Sequence, residues 1–157
     1  MGRFVMFTIK KIHKKDFNDL YIIVRKHLHE QGLVEIDFDP THFNSYMKSV
    51  FYNHESLGLY HNDKLIGALL YDLTVNYYNT KKLCIIQLLQ IDNTDNLRSP
   101  NTYQLLLNEL YKQCETENVV KIICLEDDIL LDRNLKLNLL IQNQWQEKQP
   151  MWNKIIQ

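Results

Sequence analysis

Leu83–Leu125 reads LCIIQLLQIDNTDNLRSPNTYQLLLNELYKQCETENVVKIICL and carries the strongest structural signal in the chain. Its opening run, Leu83 to Ile91, is apolar apart from Gln87 and Gln90, the composition of a central strand. Asn93 to Ser99 is a polar loop, and Pro100 suits a first helical turn, where its missing N–H costs nothing. Tyr103, Leu106, Leu107, Leu110 and Tyr111 then recur at helical spacing and predict a helix over about 100–117. Val119 to Leu125 is a second apolar strand. A strand, a crossover helix and a returning strand make a parallel pair, because antiparallel neighbours need only a short turn.

On the C-terminal side, Leu131, Leu135, Leu139 and Leu140 predict a helix over Leu130 to Gln142, and Trp145 to Ile156 reads as one or two short strands. On the N-terminal side, Leu57–Tyr60 and Lys64–Val75 flank His61-Asn62-Asp63 and predict a β-hairpin. Before it, Pro40 opens an amphipathic segment with Phe43, Tyr46, Met47, Val50 and Phe51, ending near Asn53. Asp16 is placed to cap a helix over about 16–31, with Phe17, Leu20, Tyr21, Val24 and Leu28 on one face and Gly32 at its stop. Phe7 to Ile12 is a short first strand. The order is β α α β β β α β α β, with an optional last β, in a largely antiparallel sheet.

At 157 residues the chain buries about 68–70% of its unfolded surface, enough for one domain spanning 1–157 without metal or disulfide staples. Met6, just before the first strand, makes residues 1–5 an N-terminal appendage. The balance of 18 Lys+Arg against 19 Asp+Glu, a net charge of −1, argues against general polyanion binding. No apolar run approaches the roughly 20 residues of a membrane span. Cys84, Cys114 and Cys124 lack CxxC spacing, and no secretory pattern opens the chain, so a reduced, cytoplasmic setting is expected. A myristoylation signal would need Ser or Thr where Met6 stands.

The element order, with two helices after the first strand, resembles the GCN5-related N-acetyltransferases (GNAT superfamily), which move acetyl from acetyl-CoA to an amine. MFTIKKIHKKDFNDL is similar to that family's opening strand and helix, and LGLYHNDKLIGALLYD to its second and third strands. QLLQID is similar to the end of its fourth strand, LRSPNTYQLLLNEL to its CoA loop and third helix, and QNQWQEKQPMWNKII to its closing strands. The resemblance implies an α/β (α+β) fold: a mixed, mostly antiparallel central sheet of six to seven strands, helices on both faces and one parallel pair. It also implies acetyl-CoA as substrate with no metal and an unidentified amine acceptor; charge and run length speak against nucleic-acid and membrane partners, and the oligomeric state is open, a homodimer being one option.

In that family an Arg or Gln followed by Gly-x-Gly-x-Gly/Ala wraps the CoA pyrophosphate in backbone N–H groups at a helix N-terminus. Matching Arg98 to this pattern puts Ser99, Asn101 and Tyr103 at the small-residue positions, with Thr102 between the last two. The loop is divergent, and the Tyr103 ring is expected to obstruct phosphate approach. The family's carbonyl-polarising backbone N–H falls at Ile91, a carboxylate base falls at Asp92, and Asn134 matches a cofactor-touching asparagine. The usual phenolic acid has no counterpart in LNLLIQNQW.

Other groupings point less far. His27, His29 and Glu30 have the wrong spacing for a helical metal pair. Glu126, Asp127 and Asp128 suit a solvated loop, Lys10, Lys11, Lys14 and Lys15 a solvated basic edge, and Tyr71, Tyr77 and Tyr78 either sheet packing or an acceptor groove. Cys84 and Cys124 are expected to be buried and inert. Two functional readings stand: an acyl-CoA-dependent N-acetyltransferase, or a non-catalytic binding protein of the same fold that has lost CoA binding.

Overall fold

The computed structural model describes residues 6–30, 41–42, 45, 48–49, 55–75, 81–125, 131–148 and 151–156. The appendage 1–5, Gly32, most of the helix expected over 40–53, Tyr77, Tyr78 and the acidic run 126–128 lie outside the described residues. Within the 40–53 segment, Thr41, His42, Ser45, Lys48 and Ser49 are helical.

Seven strands form one sheet: β1 (Phe7–Lys10), β2 (Glu55–His61), β3 (Lys64–Val75), β4 (Lys82–Ile91), β5 (Val119–Leu125), β6 (Gln146–Lys148) and β7 (Met151–Ile155). Their spatial order is β1-β2-β3-β4-β5-β7-β6, and all pairs are antiparallel except β4 with β5. Besides the helical residues within 41–49, the described helices are α1 (Phe17–Glu30), α2 (Pro100–Thr116) and α3 (Arg133–Gln142). The parallel pair expected from Leu83–Leu125 is present, and α3 starts after the expected Leu130.

Local chemistry explains the turns. Asn62 and Asp63 take φ of 50° and 67°, the paired left-handed conformations of a two-residue hairpin turn that Asn and Asp adopt more readily than other side chains. Asp16 does not act as the first helix's cap. His13 caps a 3-10 turn (Lys14–Asp16) by accepting the Lys15 N–H, while Asp16 is buried and accepts the Tyr60 hydroxyl at 2.8 Å. At α2, Ser99 and Thr102 form a capping box, and Pro100 occupies the first turn.

The core lies on both sheet faces. Leu20, Ile23 and Val24 of α1 pack with Ile12, Tyr60, Leu65, Ala68 and Leu70 on one side. On the other, Tyr103, Leu106, Leu107 and Leu110 of α2 and Leu139 and Leu140 of α3 cover Leu59, Leu69, Leu89 and Ile122. The three cysteines are free and buried on the α2 side, as expected for Cys84 and Cys124. A hydrogen bond with Cys114, with burial added, pushes the Cys84 thiol up and keeps it protonated.

A polar network ties α2 to the end of α3 and the closing strands. Trp145 Nε1 donates to the Tyr111 hydroxyl at 2.9 Å, which donates to Asn143 Oδ1 at 3.0 Å. Asn143 and Gln104 exchange amide hydrogen bonds at 2.7 and 2.8 Å, and Asn143 Nδ2 also donates to the Leu139 carbonyl at 2.7 Å.

Two stability outcomes follow. A Cβ at Gly58 would sit 2.8 Å from the Tyr60 ring and 2.9 Å from Ile12 Cγ1, so Gly58→Ala is expected to cost about 1–3 kcal/mol by overpacking in urea denaturation. Asn143→Ala strips partners from Gln104 and Tyr111 at once, and a loss of about 1–3 kcal/mol is expected in the same measurement. A Gly58→Ala or Asn143→Ala protein as stable as the unmodified chain would contradict the corresponding packing or network.

Candidate active site at the parting of β4 and β5

β4 changes face midway. Its register against β3 slips between Leu70 and Tyr71, so Leu70 faces Leu88, Tyr71 faces Ile86, and Gln87 is the extra residue of a bulge. The α2-facing buried positions shift accordingly from Cys84 and Ile86 to Leu89 and Ile91. Pairing with β5 covers only Lys82–Ile85. Beyond Ile85, β4 has no strand partner on that side among the described residues, and the sheet opens between β4 and β5.

The backbone along this opening has a defined sense. The Asp92 N–H donates to the Ile66 carbonyl at 2.7 Å, marking Ile91 and Gly67 as a non-hydrogen-bonded pair. In such a pair both residues turn their own N–H and C=O away from each other. The Ile91 amide therefore points from β3 toward the β5 side, and its carbonyl accepts Arg98 Nε at 2.7 Å.

The side chains at the end of β4 meet the C-terminal half of α1. Asp92 lies on the α1 face, 3.3 Å from Lys26 Nζ, and accepts the Thr94 hydroxyl at 2.8 Å. Burial works to raise its pKa, but the Thr94 hydrogen bond and the Lys26 ammonium outweigh it and hold the carboxyl below the usual value. Arg98 forms a two-pronged ion pair with Glu30, at 2.6 and 2.8 Å. His27 is buried beside that pair, and burial first, then the Arg98 charge, keep its pKa low and its ring neutral. Gln90, on the same face as Asp92, is 6% exposed, and its Oε1 has no hydrogen-bond partner among the described residues.

The loop before α2 is closed on itself. The Ser99 N–H donates to Thr102 Oγ1 at 2.9 Å, the Thr102 N–H to Ser99 Oγ at 3.3 Å, and the Tyr103 N–H to the Ser99 carbonyl at 3.2 Å. Pro100 has no N–H, and Asn101, in the first turn, has no intrahelical acceptor for its own. Asn101 is exposed, and so is Asn134 on the first turn of α3. The expected obstruction by Tyr103 is not what the structure has. Its ring is fully buried with Leu106, Leu107 and Leu110, because the helical period that makes the apolar stripe also turns residue 103 inward.

The structure thus brings Ile91, Asp92, Arg98, Ser99 and Thr102 together after the end of β4, while Tyr103 turns into the core and Asn101 and Asn134 are exposed on the first turns of α2 and α3. Lys26, Glu30, His27 and Gln90 were missed as members of this group. The signal available was the i, i+4 spacing of Lys26 and Glu30, which sets a cation and an anion on one helix face opposite Asp92 and Arg98. A phenol does reach the closing aromatic, from α2 rather than α3. Tyr111 bonds Trp145, and burial pushes its pKa up, so it stays protonated within the network. Beside it, near the far end of α2, Tyr111, Glu115, Gln144, Gln146, Lys154 and Ile156 line an open hollow of ≈ 520 Å³. Among the described residues no group of acidic, His and Cys side chains is arranged to hold a metal, and no helix is long and apolar enough to cross a membrane.

No protein-family model matches the chain, and no curated protein is significantly similar to it. Solved structures do match. An acetyltransferase of the GNAT family from Staphylococcus aureus Mu50 superposes with a TM-score of 0.72 at 9% identity, over 97% of this chain and 100% of that one. Ribosomal-protein-alanine N-acetyltransferase from Brucella melitensis gives 0.71 at 13% identity, over 95% and 99%. A predicted acetyltransferase from Clostridium acetobutylicum, solved with acetyl-CoA, gives 0.65 at 18% identity, over 92% of each chain. With the bulged β4, the single parallel pair and the opening beside it, this chain has the fold of the GCN5-related N-acetyltransferases.

Proposed function

We propose that the protein is an acyl-CoA-dependent N-acetyltransferase acting on a small or peptidic amine, at home in the cytoplasm. The observation that carries this reading is the Ile91 amide turned into the opening where β4 leaves β5. A donor N–H fixed there suits a thioester carbonyl whose oxygen gains charge as the amine attacks. In the reaction the amine nitrogen bonds to the acetyl carbon, the carbon–sulfur bond breaks, the amine loses a proton and the thiolate gains one.

Asp92 is the carboxylate assigned to the amine. Its lowered pKa keeps it ionised near neutral pH, which suits drawing in an ammonium group and passing its proton on through water rather than retaining it. Arg98, the Asn101 N–H and the capping-box residues Ser99 and Thr102 are assigned to the phosphate end of the donor site, with Tyr103 anchoring it from the core and Asn134 assigned to the donor from α3. The loop carries none of the family's glycines, so the pyrophosphate has to meet the backbone between side chains. The second reading, a binding protein of this fold without CoA, draws on the Ser99 and Thr102 amides being satisfied internally.

Calorimetric titration with acetyl-CoA separates the two. Saturable binding is expected, whereas its absence would leave the non-catalytic reading. With an acceptor found by screening amines for thiol release, Asp92→Asn is expected to lower kcat by about 10²–10³-fold. The acid limb of the unmodified protein's pH profile should follow the pKa of the acceptor amine, since Asp92 is already charged well below it. A limb that stays fixed when acceptors of different pKa are compared would contradict this.

A further inference from the structure

The Arg98 guanidinium is engaged on three sides within the chain. Nε donates to the Ile91 carbonyl, and Nη1 and Nη2 donate to the two Glu30 oxygens. The three contacts differ in kind. The Ile91 carbonyl belongs to the last residue of β4 and holds the stem of the fork against the sheet. Glu30 is the last residue of α1 and holds only the prongs, and its side chain is 37% exposed while that of Arg98 is 7% exposed. Arg98 therefore has a seat without Glu30, and Glu30 approaches the fork from the solvent side.

A carboxylate and a phosphate present the same paired oxygens to a guanidinium, so one can stand where the other binds. The loop beside Arg98 repeats the pattern at the backbone, where the hydroxyl oxygens of Ser99 and Thr102 accept each other's N–H groups at the start of α2. Donors suited to an anion at a helix N-terminus are thus occupied by the chain's own oxygens.

We infer that Glu30 is a placeholder for the diphosphate of the acyl donor: its carboxylate occupies the prongs of Arg98 until the donor's phosphate oxygens replace it, and that exchange releases the C-terminal turn of α1. The inference rests on the acetyl-CoA reading above. It makes Glu30 a positioning residue that sets donor affinity without touching the reacting atoms. Only the fraction of molecules with Arg98 open binds the diphosphate, so the apparent affinity is the intrinsic one reduced by that fraction. It also couples the donor site to the α1 face of β4, where Lys26 of the same helix holds Asp92.

The experiment is a calorimetric titration of CoA into the unmodified protein, Glu30→Gln and Asp63→Asn, the last removing an equal charge at the β2–β3 turn. Glu30→Gln is expected to bind CoA about fivefold more tightly, with Asp63→Asn unchanged. Equal or weaker binding by Glu30→Gln, or equal tightening by both variants, overturns the placeholder while leaving the donor reading in place. Absence of CoA binding by all three overturns both. In the unmodified chain, hydrogen exchange gives an independent reading. CoA is expected to speed amide exchange over residues 26–30, and added protection there would overturn the exchange of Glu30 for phosphate.

Discussion

The bulge at Gln87 is the constraint on which the rest of the molecule depends. A strand has a side-chain period of two, so one extra residue moves every later side chain to the opposite face. Without it, the run from Leu88 to Ile91 would present its apolar residues in the wrong sense to α1 and α2. With it, Leu89 and Ile91 continue the core under α2 while Gln90 and Asp92 turn to α1. The same stretch lies where β4 is no longer paired with β5, so the Ile91 amide is left facing the opening.

The opening is bordered by charges that the fold has already paired. Lys26 with Asp92 and Glu30 with Arg98 join one face of α1 to both ends of the short segment between β4 and α2. These partly exposed pairs contribute less to stability than to placement, since desolvation and side-chain ordering offset most of their attraction. Their effect is to fix which groups face the opening and in which charge state. Asp92 is held ionised by Thr94 and Lys26 against its burial, and His27 is held neutral by burial and Arg98.

The fold was largely legible because each element carries its own periodicity. Leu83 to Ile91, the stripe from Tyr103 to Tyr111 and the Asn62-Asp63 turn each state their structure within a few residues, and the crossover fixes the parallel pair. The errors were local. Asp16 looked like a cap because aspartate commonly is one, and only the arrival of Tyr60 from β2 shows why its carboxylate is buried. Tyr103 looked like an obstruction when read against a glycine position, although its spacing from Leu106 and Leu110 already placed it in the core.

The order and type of the described elements, the parallel crossover, the absence of glycine from the loop before α2 and the apolar stripe that buries Tyr103 are all written in local sequence. These depend on neighbours a few residues apart, where backbone geometry links pattern to structure directly. Long-range packing brings Glu30 to Arg98, Lys26 to Asp92 and Tyr111 to Trp145, and parts β4 from β5 after Ile85. Those contacts join residues that are tens of positions apart, and no local period encodes them. They arise because burying the apolar faces of α1 and α2 on opposite sides of one sheet leaves the charged end of α1 against the loop that opens α2.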